Sequence, residues 1–207
     1  KHNLPVLEDK PYGELRFEGE ILPSLKAMDT KGFVMFLGTF SKVFCPGLRL
    51  GWVAADKNVL SEFIKIKQSA DLHTSNFDQG VADAYMEAYD LDAHVAKICD
   101  LYRHRRDLIL ATMEAELPAG CTWTHPEGGL FLFLTMPEGF DSVKFYDKAL
   151  DAGVAYVAGE FFHPDRSGKN TMRLNFSFMS PERISEGIRL LAELLKTELV
   201  TVSLSYL

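Results

Sequence analysis

The clearest two-residue alternation in the chain runs from Thr171 to Phe178, with Met172, Leu174, Phe176 and Phe178 on one face and Arg173, Asn175 and Ser177 on the other. That period belongs to a strand half-buried in a sheet. Shorter apolar runs predict further strands over Leu4–Leu7 (read as an interior strand), Phe33–Leu37, Leu50–Ala55, Cys121–Thr124, Leu130–Thr135 and Val154–Ala158. Between them the period lengthens to that of a helix. Val59, Leu60, Phe63 and Ile64 follow Asp56, a helix-capping residue type, and Phe77, Val81, Ala84, Tyr85 and Ala88 follow Ser75-x-x-Asp78, which reads as a capping box. A long helix is predicted from near Leu91 to Leu117, with Val95, Ile98, Tyr102, Ile109 and Met113 as its stripe. Asp141 can cap a helix with Val143, Tyr146, Ala149 and Leu150 inward, ended by Gly153. Ser180-Pro181 opens a last one, in which Ile184, Ile188, Leu191 and Leu195 pack down. Val200–Leu207 have β-type composition and no functional reading. Strands alternating with helices predict an α/β architecture.

Within this pattern, the stretch from Gly38 to Trp52, GTFSKVFCPGLRLGW, concentrates the chemistry. The strand predicted over Phe33–Leu37 feeds a small hydroxylated loop, Thr39-Phe40-Ser41, and then a single lysine, Lys42. Pro46-Gly47 turns the chain and Arg49 follows at the start of the next apolar run. A lysine desolvated among apolar residues can lose its proton, and a neutral amine attacks aldehydes. The hydroxyls of Thr39 and Ser41 with the guanidinium of Arg49 make a cradle for a phosphate. A lysine nucleophile beside a phosphate site points to pyridoxal 5'-phosphate, which carries both an aldehyde and a phosphate. On spacing alone, a buried strand pair with a surface lysine and a structural arginine also fits.

Ser41-Lys42 followed by Pro46-Gly47-x-Arg49-x-Gly51-Trp52 resembles the cofactor-lysine signature of the fold-type-I pyridoxal-phosphate aminotransferases of class I/II, most closely the aminoadipate/aromatic-type branch. The YGELRFEG segment from Tyr12 is similar to the same branch. The resemblance implies that Lys42 holds the cofactor covalently and serves as general base and then acid. It implies that Asp9 pairs with the pyridine nitrogen, that Tyr12 hydrogen-bonds the phenolic oxygen, and that Thr39, Ser41 and Arg49 hold the phosphate. Taken alone, Asp9-x-x-Tyr12 reads by default as two solvated turn residues at the rim of a sheet, and Arg16 is a surface arginine without chemistry. By position Arg173 resembles the arginine that grips the substrate α-carboxylate, although by itself it reads as an ordinary ion-pair arginine. Gly128-Gly129 is first a turn, and in the family a glycine pair here lies near the substrate, as does the Gly159–Pro164 loop.

The family's architecture implies that residues 1–104 are the trailing part of a large, mostly parallel-sheet cofactor domain. Residues 105–207 would form a small C-terminal α+β domain, the boundary lying inside the long helix. Since Lys1 opens the chain almost directly on a strand, the chain is expected to be the C-terminal part of a larger enzyme and to bind cofactor weakly or not at all by itself. The implied reaction passes an amino group from an amino acid to a 2-oxo acid, with 2-oxoglutarate the expected acceptor, by a ping-pong cycle in a homodimer. Aromatic, branched, aminoadipate and lysine-type donors are all compatible. A carbon–sulfur lyase on the same scaffold, or the sensor body of a winged-helix transcription regulator, would carry the same signature.

Composition narrows the partners. Twenty-two basic against twenty-nine acidic residues give a net charge of −7, which disfavours nucleic acid and anionic membranes. The Arg103-His104-Arg105-Arg106 cluster therefore reads as a solvated helix face. Cys45, Cys99 and Cys121 form no metal spacing and cannot all pair, which fits a reducing cytoplasm. Cys45, close to the lysine, reads as a small buried thiol. With 47% hydrophobic residues the chain can build a real core.

Overall fold

Pro5 has no N–H to give to a ladder, and the first strand begins only after it: β1 is Val6–Asp9 rather than Leu4–Leu7. The computed structural model describes residues 2–204, and the chain divides into two compact units, Lys1–Cys99 and Asp100–Leu207.

In the first unit, β1 pairs in parallel with β2 (Val34–Thr39), Val6 opposite Val34 and Asp9 opposite Leu37. β3 (Gly51–Ala54) pairs antiparallel on the other side of β2, Phe36 opposite Ala54 and Thr39 opposite Gly51. In the order β1-β2-β3, β1 pairs with β2 alone among the described residues, and Val6 and Leu7 are exposed in this chain. A one-turn helix that the hydrophobic pattern does not reveal, α1 (Leu25–Met28), precedes β2. Its first N–H groups are met by carboxylate oxygens of Glu8, which accept from Leu25 N and Lys26 N at 2.9 Å each. Asp29 ends the turn and accepts from Val34 N at 2.8 Å, a bond that starts β2 and holds the Asp29 carboxyl down at about 2.

α2 (Lys57–Ala70) and α3 (Asn76–Ala88) carry the expected caps: Asp56 accepts from Asn58 N and Ser75 from Asp78 N. Their buried sides differ from the apolar stripes. Phe63, Ile64 and Phe77 are exposed and Ala82 is buried, while Tyr85 of the expected face does pack, its ring 4.5 Å from that of Phe44. α4 (Leu91–Glu116) runs through the division between the units.

The second unit is a four-stranded antiparallel sheet in the order β4-β5-β7-β6. β4 is Thr122–Trp123, β5 Phe131–Thr135, β6 Val157–Ala158 and β7 Thr171–Asn175. α5 (Tyr146–Asp151) lies between β5 and β6, and α6 (Pro181–Leu204) follows β7. Leu132, Leu134, Met172, Leu174 and Phe176 are buried, as are Ile109 and Met113 of α4 and Ile184, Ile188, Leu191 and Leu195 of α6. Burying each such side chain contributes roughly 1.5–3 kcal/mol.

Three expectations need correction here. β7 stops at Asn175, because its side-chain oxygen accepts from Ser177 N at 2.9 Å and turns the backbone out of the ladder; Phe178 is 82% exposed instead of facing the core. Asp141 caps a turn ahead of α5, accepting from Val143 N and Lys144 N, so the inward residues are Phe145 and Ala149 while Val143 and Leu150 are exposed. The β-type composition from Val200 gives way to helix through Leu204. A β-branched residue lowers helix propensity by only about half a kcal/mol, too little to stop an established helix. Residues 205–207 lie outside the described residues.

Candidate active site

Parallel pairing brings the carboxyl ends of β1 and β2 to the same edge, the side of an open α/β sheet at which ligands bind. Lys10 N donates to Leu37 O at 3.3 Å and keeps that end zipped. Asp9, the last residue of β1, is exposed, and its carboxylate has neither a hydrogen-bond nor an ion-pair partner among the described residues. The chain then turns over Pro11–Glu14, closed by Leu15 N donating to Tyr12 O at 3.0 Å and anchored by the buried side chain of Leu15.

This turn presents the Tyr12 ring to Lys42. The Lys42 Nζ lies 5.7 Å from the ring centroid, within cation–π range. Lys42 sits in a helical turn held by Phe44 N and Cys45 N, which both donate to Phe40 O, with neighbouring Val43 buried as its anchor. Lys42 itself is half-buried, and its amine meets no carboxylate among the described residues. An amine so held is flanked by an aromatic face and left without a counter-ion.

The phosphate-type cradle also assembles. Thr39 Oγ1 donates to Leu50 O at 3.1 Å and accepts from Ser41 N at 3.1 Å. Arg49 Nη1 donates to Ser41 Oγ at 3.5 Å and to Pro46 O at 3.0 Å. Arg49 occupies the left-handed region, with φ 55° and ψ 35°, after the single 3-10 turn Pro46–Leu48. A non-glycine residue there costs on the order of 1 kcal/mol and is found where the surroundings over-determine it, often at functional sites. The hydroxyls, the guanidinium, the unpartnered carboxylate and the amine fit the donor and acceptor set of pyridoxal phosphate.

Gly38 seats this loop. A Cβ at Gly38 would lie 2.2 Å from Trp52 Cε2, because the indole lies directly over it and stacks on Phe36 at 5.1 Å. Gly38→Ala is therefore expected to push Trp52 off β2 and displace Thr39, costing about 1–3 kcal/mol; urea denaturation of the complete polypeptide measures it.

In the second unit, Arg173 projects from the centre of β7, opposite Phe133 of β5 on one side and Val157 of β6 on the other. It is half-buried, its Nε is buried without a hydrogen-bond partner, and its guanidinium has no acceptor or carboxylate among the described residues. The ordinary ion-pair reading finds no partner here. The guanidinium carbon lies 4.0 Å from the Phe131 ring centroid and 4.7 Å from that of Phe162. These two rings escape sequence reading, since only the β5–β7 register and the fold of the Gly159–Phe162 turn bring them to Arg173.

The basic cluster of α4 is not simply a solvated face. Arg103 pairs with Asp100 at the surface, but Arg106 is 4% exposed and donates from Nη1 to Pro126 O at 2.7 Å. Arg105 donates to Ser177 O, so the two arginines hold the loop before Gly128-Gly129 and the chain leaving β7. Gly129, at φ 78°, is a turn glycine as expected. Arg16 and Cys45 are half-buried, and none of the three cysteines forms a disulfide among the described residues.

The family described as aminotransferase class I and II matches residues 1–191. Aromatic-amino-acid aminotransferase 1 of Thermococcus litoralis is 47% identical over 199 residues, 96% of this chain and 48% of that protein. The chain is also similar in structure to LysN, the α-aminoadipate aminotransferase of Thermus thermophilus, solved with N-(5'-phosphopyridoxyl)-L-leucine. There the TM-score is 0.89 at 34% identity, covering 96% of this chain and 51% of that one. An uncharacterized HTH-type transcriptional regulator of Bacillus subtilis is 31% identical over 194 residues, 93% of this chain and 40% of its own. The chain spans about half the length of the curated relatives it matches.

Proposed function

The chain belongs to the class I and II aminotransferases, and from that premise we propose that the complete polypeptide moves an amino group from an amino acid to a 2-oxo acid using pyridoxal 5'-phosphate. The observation that carries the reading is the meeting, at one sheet edge, of an amine without a counter-ion, a carboxylate without a partner and a guanidinium–hydroxyl pair. Bound there, the cofactor supplies an aldehyde for covalent attachment and a ring that accepts electrons.

The chain's own residues do the rest. Lys42 Nζ would hold the cofactor and, once freed by the incoming amino acid, would act as the base that takes the substrate α-proton and as the acid that gives it back. Asp9 holds a proton on the ring nitrogen by keeping a negative charge beside it. Tyr12 donates to the phenolic oxygen. Thr39, Ser41 and Arg49 hold the phosphate while the covalent link is open, and Arg173 receives the substrate carboxylate in its two-pronged fork. In this reading residues 1–104 belong to the large cofactor domain and residues 105–207 form the small one. The acceptor is 2-oxoglutarate in a ping-pong cycle, and the working state is a cytoplasmic homodimer with neither nucleic acid nor membrane as a partner. No helix among the described residues is long and apolar enough to cross a membrane.

The similarity to a transcription regulator keeps one second reading open, that this body senses an amino acid without turning it over. A panel of aromatic, branched, aminoadipate and lysine donors incubated with 2-oxoglutarate and the complete protein separates the cases. Glutamate formed with a matching 2-oxo acid is the expected result. Ammonia with pyruvate would indicate elimination, and cofactor binding without turnover would favour the sensor.

A further inference from the structure

The geometry points to Phe131 and Phe162 as positioning residues that hold the Arg173 guanidinium flat, so that its fork waits unbonded for a carboxylate. The inference rests on the reading of Arg173 just given and adds residues to it.

An arginine side chain loses much rotamer freedom when fixed, and a buried Nε without an acceptor carries a desolvation cost. Something must offset both, and no hydrogen bond or ion pair to Arg173 does so among the described residues. The two ring faces do, at 4.0 and 4.7 Å. The attraction between a cation and a ring quadrupole grows as water is removed, and it consumes none of the donors. An acidic partner would hold the arginine as firmly but would compete with the substrate's carboxylate.

The rings are themselves set by backbone features. Phe131 and Phe133 share a face of β5 by strand alternation, and Phe133 stands directly opposite Arg173. Phe133 meets Phe162 edge to face, 5.3 Å between centroids at 81°. Phe162 closes the 3-10 turn that begins at Gly159. This turn sits so close to β7 that a Cβ on Gly159 would come within 1.7 Å of Thr171 Oγ1. The glycine thus lowers the turn onto the strand and brings the ring to the guanidinium.

The test uses the complete, cofactor-loaded protein and two inhibitors that share a phenyl group, 3-phenylpropionate with a carboxylate and 2-phenylethylamine without one. Phe131→Leu and Phe162→Leu are expected to weaken 3-phenylpropionate about tenfold, the scale of a partly desolvated cation–π contact. KM for the donor should rise in parallel, with kcat within about twofold and 2-phenylethylamine unaffected, while Phe131→Tyr and Phe162→Tyr behave as the parent. Equal weakening of both inhibitors, or of neither, overturns the clamp. Arg173→Gln run alongside separates the two claims. If it weakens 3-phenylpropionate strongly while the leucine variants do not, the clamp alone fails; if it too has no effect, the carboxylate reading of Arg173 fails with it.

Discussion

Replacing Lys42 by alanine in the complete polypeptide is expected to slow the proposed amino-group transfer about a millionfold, about 8 kcal/mol of barrier, the scale seen when a covalent nucleophile is deleted. The expected loss is this large because, in the proposed function, the one amine would both attach the cofactor and move the α-proton. Arg49, the other cation of the loop, does not substitute for it: a guanidinium is a poor nucleophile and base, and this one is committed to Ser41 and Pro46. The variant should lose the visible absorbance of the lysine link yet bind free cofactor through the Thr39–Ser41–Arg49 cradle. Single-turnover assays with preloaded amino acid measure the first effect and absorbance titration the second. A variant retaining more than about a thousandth of the parent rate would mean that another base moves the proton.

Asp9→Asn comes next in size. Asparagine preserves the shape of the carboxylate but carries no charge, so in the proposed function the proton on the ring nitrogen would lose its partner and the developing negative charge its sink. A loss of about a hundred- to a thousandfold in kcat/KM is expected, comparable with removing one preorganised electrostatic contact from an active site. Asp9→Glu should recover part of it. Because Asp9 is exposed at the strand end and bonds to nothing among the described residues, the substitution leaves the fold unchanged, and thermal denaturation should show it. A kcat/KM within about tenfold of the parent would remove Asp9 from the mechanism.

The elements that depend on local chain chemistry are legible in the sequence. Lys42, Thr39, Ser41 and Arg49 fall within one contiguous stretch, and the Asp56 and Ser75 caps announce α2 and α3. Alternation around Arg173 separates it from Met172 and Leu174, both of which are buried. Long-range placements are not legible. Glu8 caps α1 from 17 and 18 residues away, and nothing in its surroundings in sequence marks it for that task. The indole of Trp52 over Gly38 needs the antiparallel register of β2 and β3. Arg106 looks like its basic neighbours until the fold buries it against the Pro126 carbonyl. The roles of Asp9 and Tyr12 rest on family resemblance, because a carboxylate and a phenol beside a proline turn are common surface features; the structure adds the contact between Tyr12 and Lys42.

Borohydride reduction of the cofactor-loaded complete protein, followed by peptide mapping, probes the central claim without relying on turnover. Reduction makes the lysine–cofactor bond permanent, and the account predicts the added mass on the peptide containing Ser41-Lys42-Val43 and on no other. A reduced protein with its label on a different lysine, or with none, would contradict it.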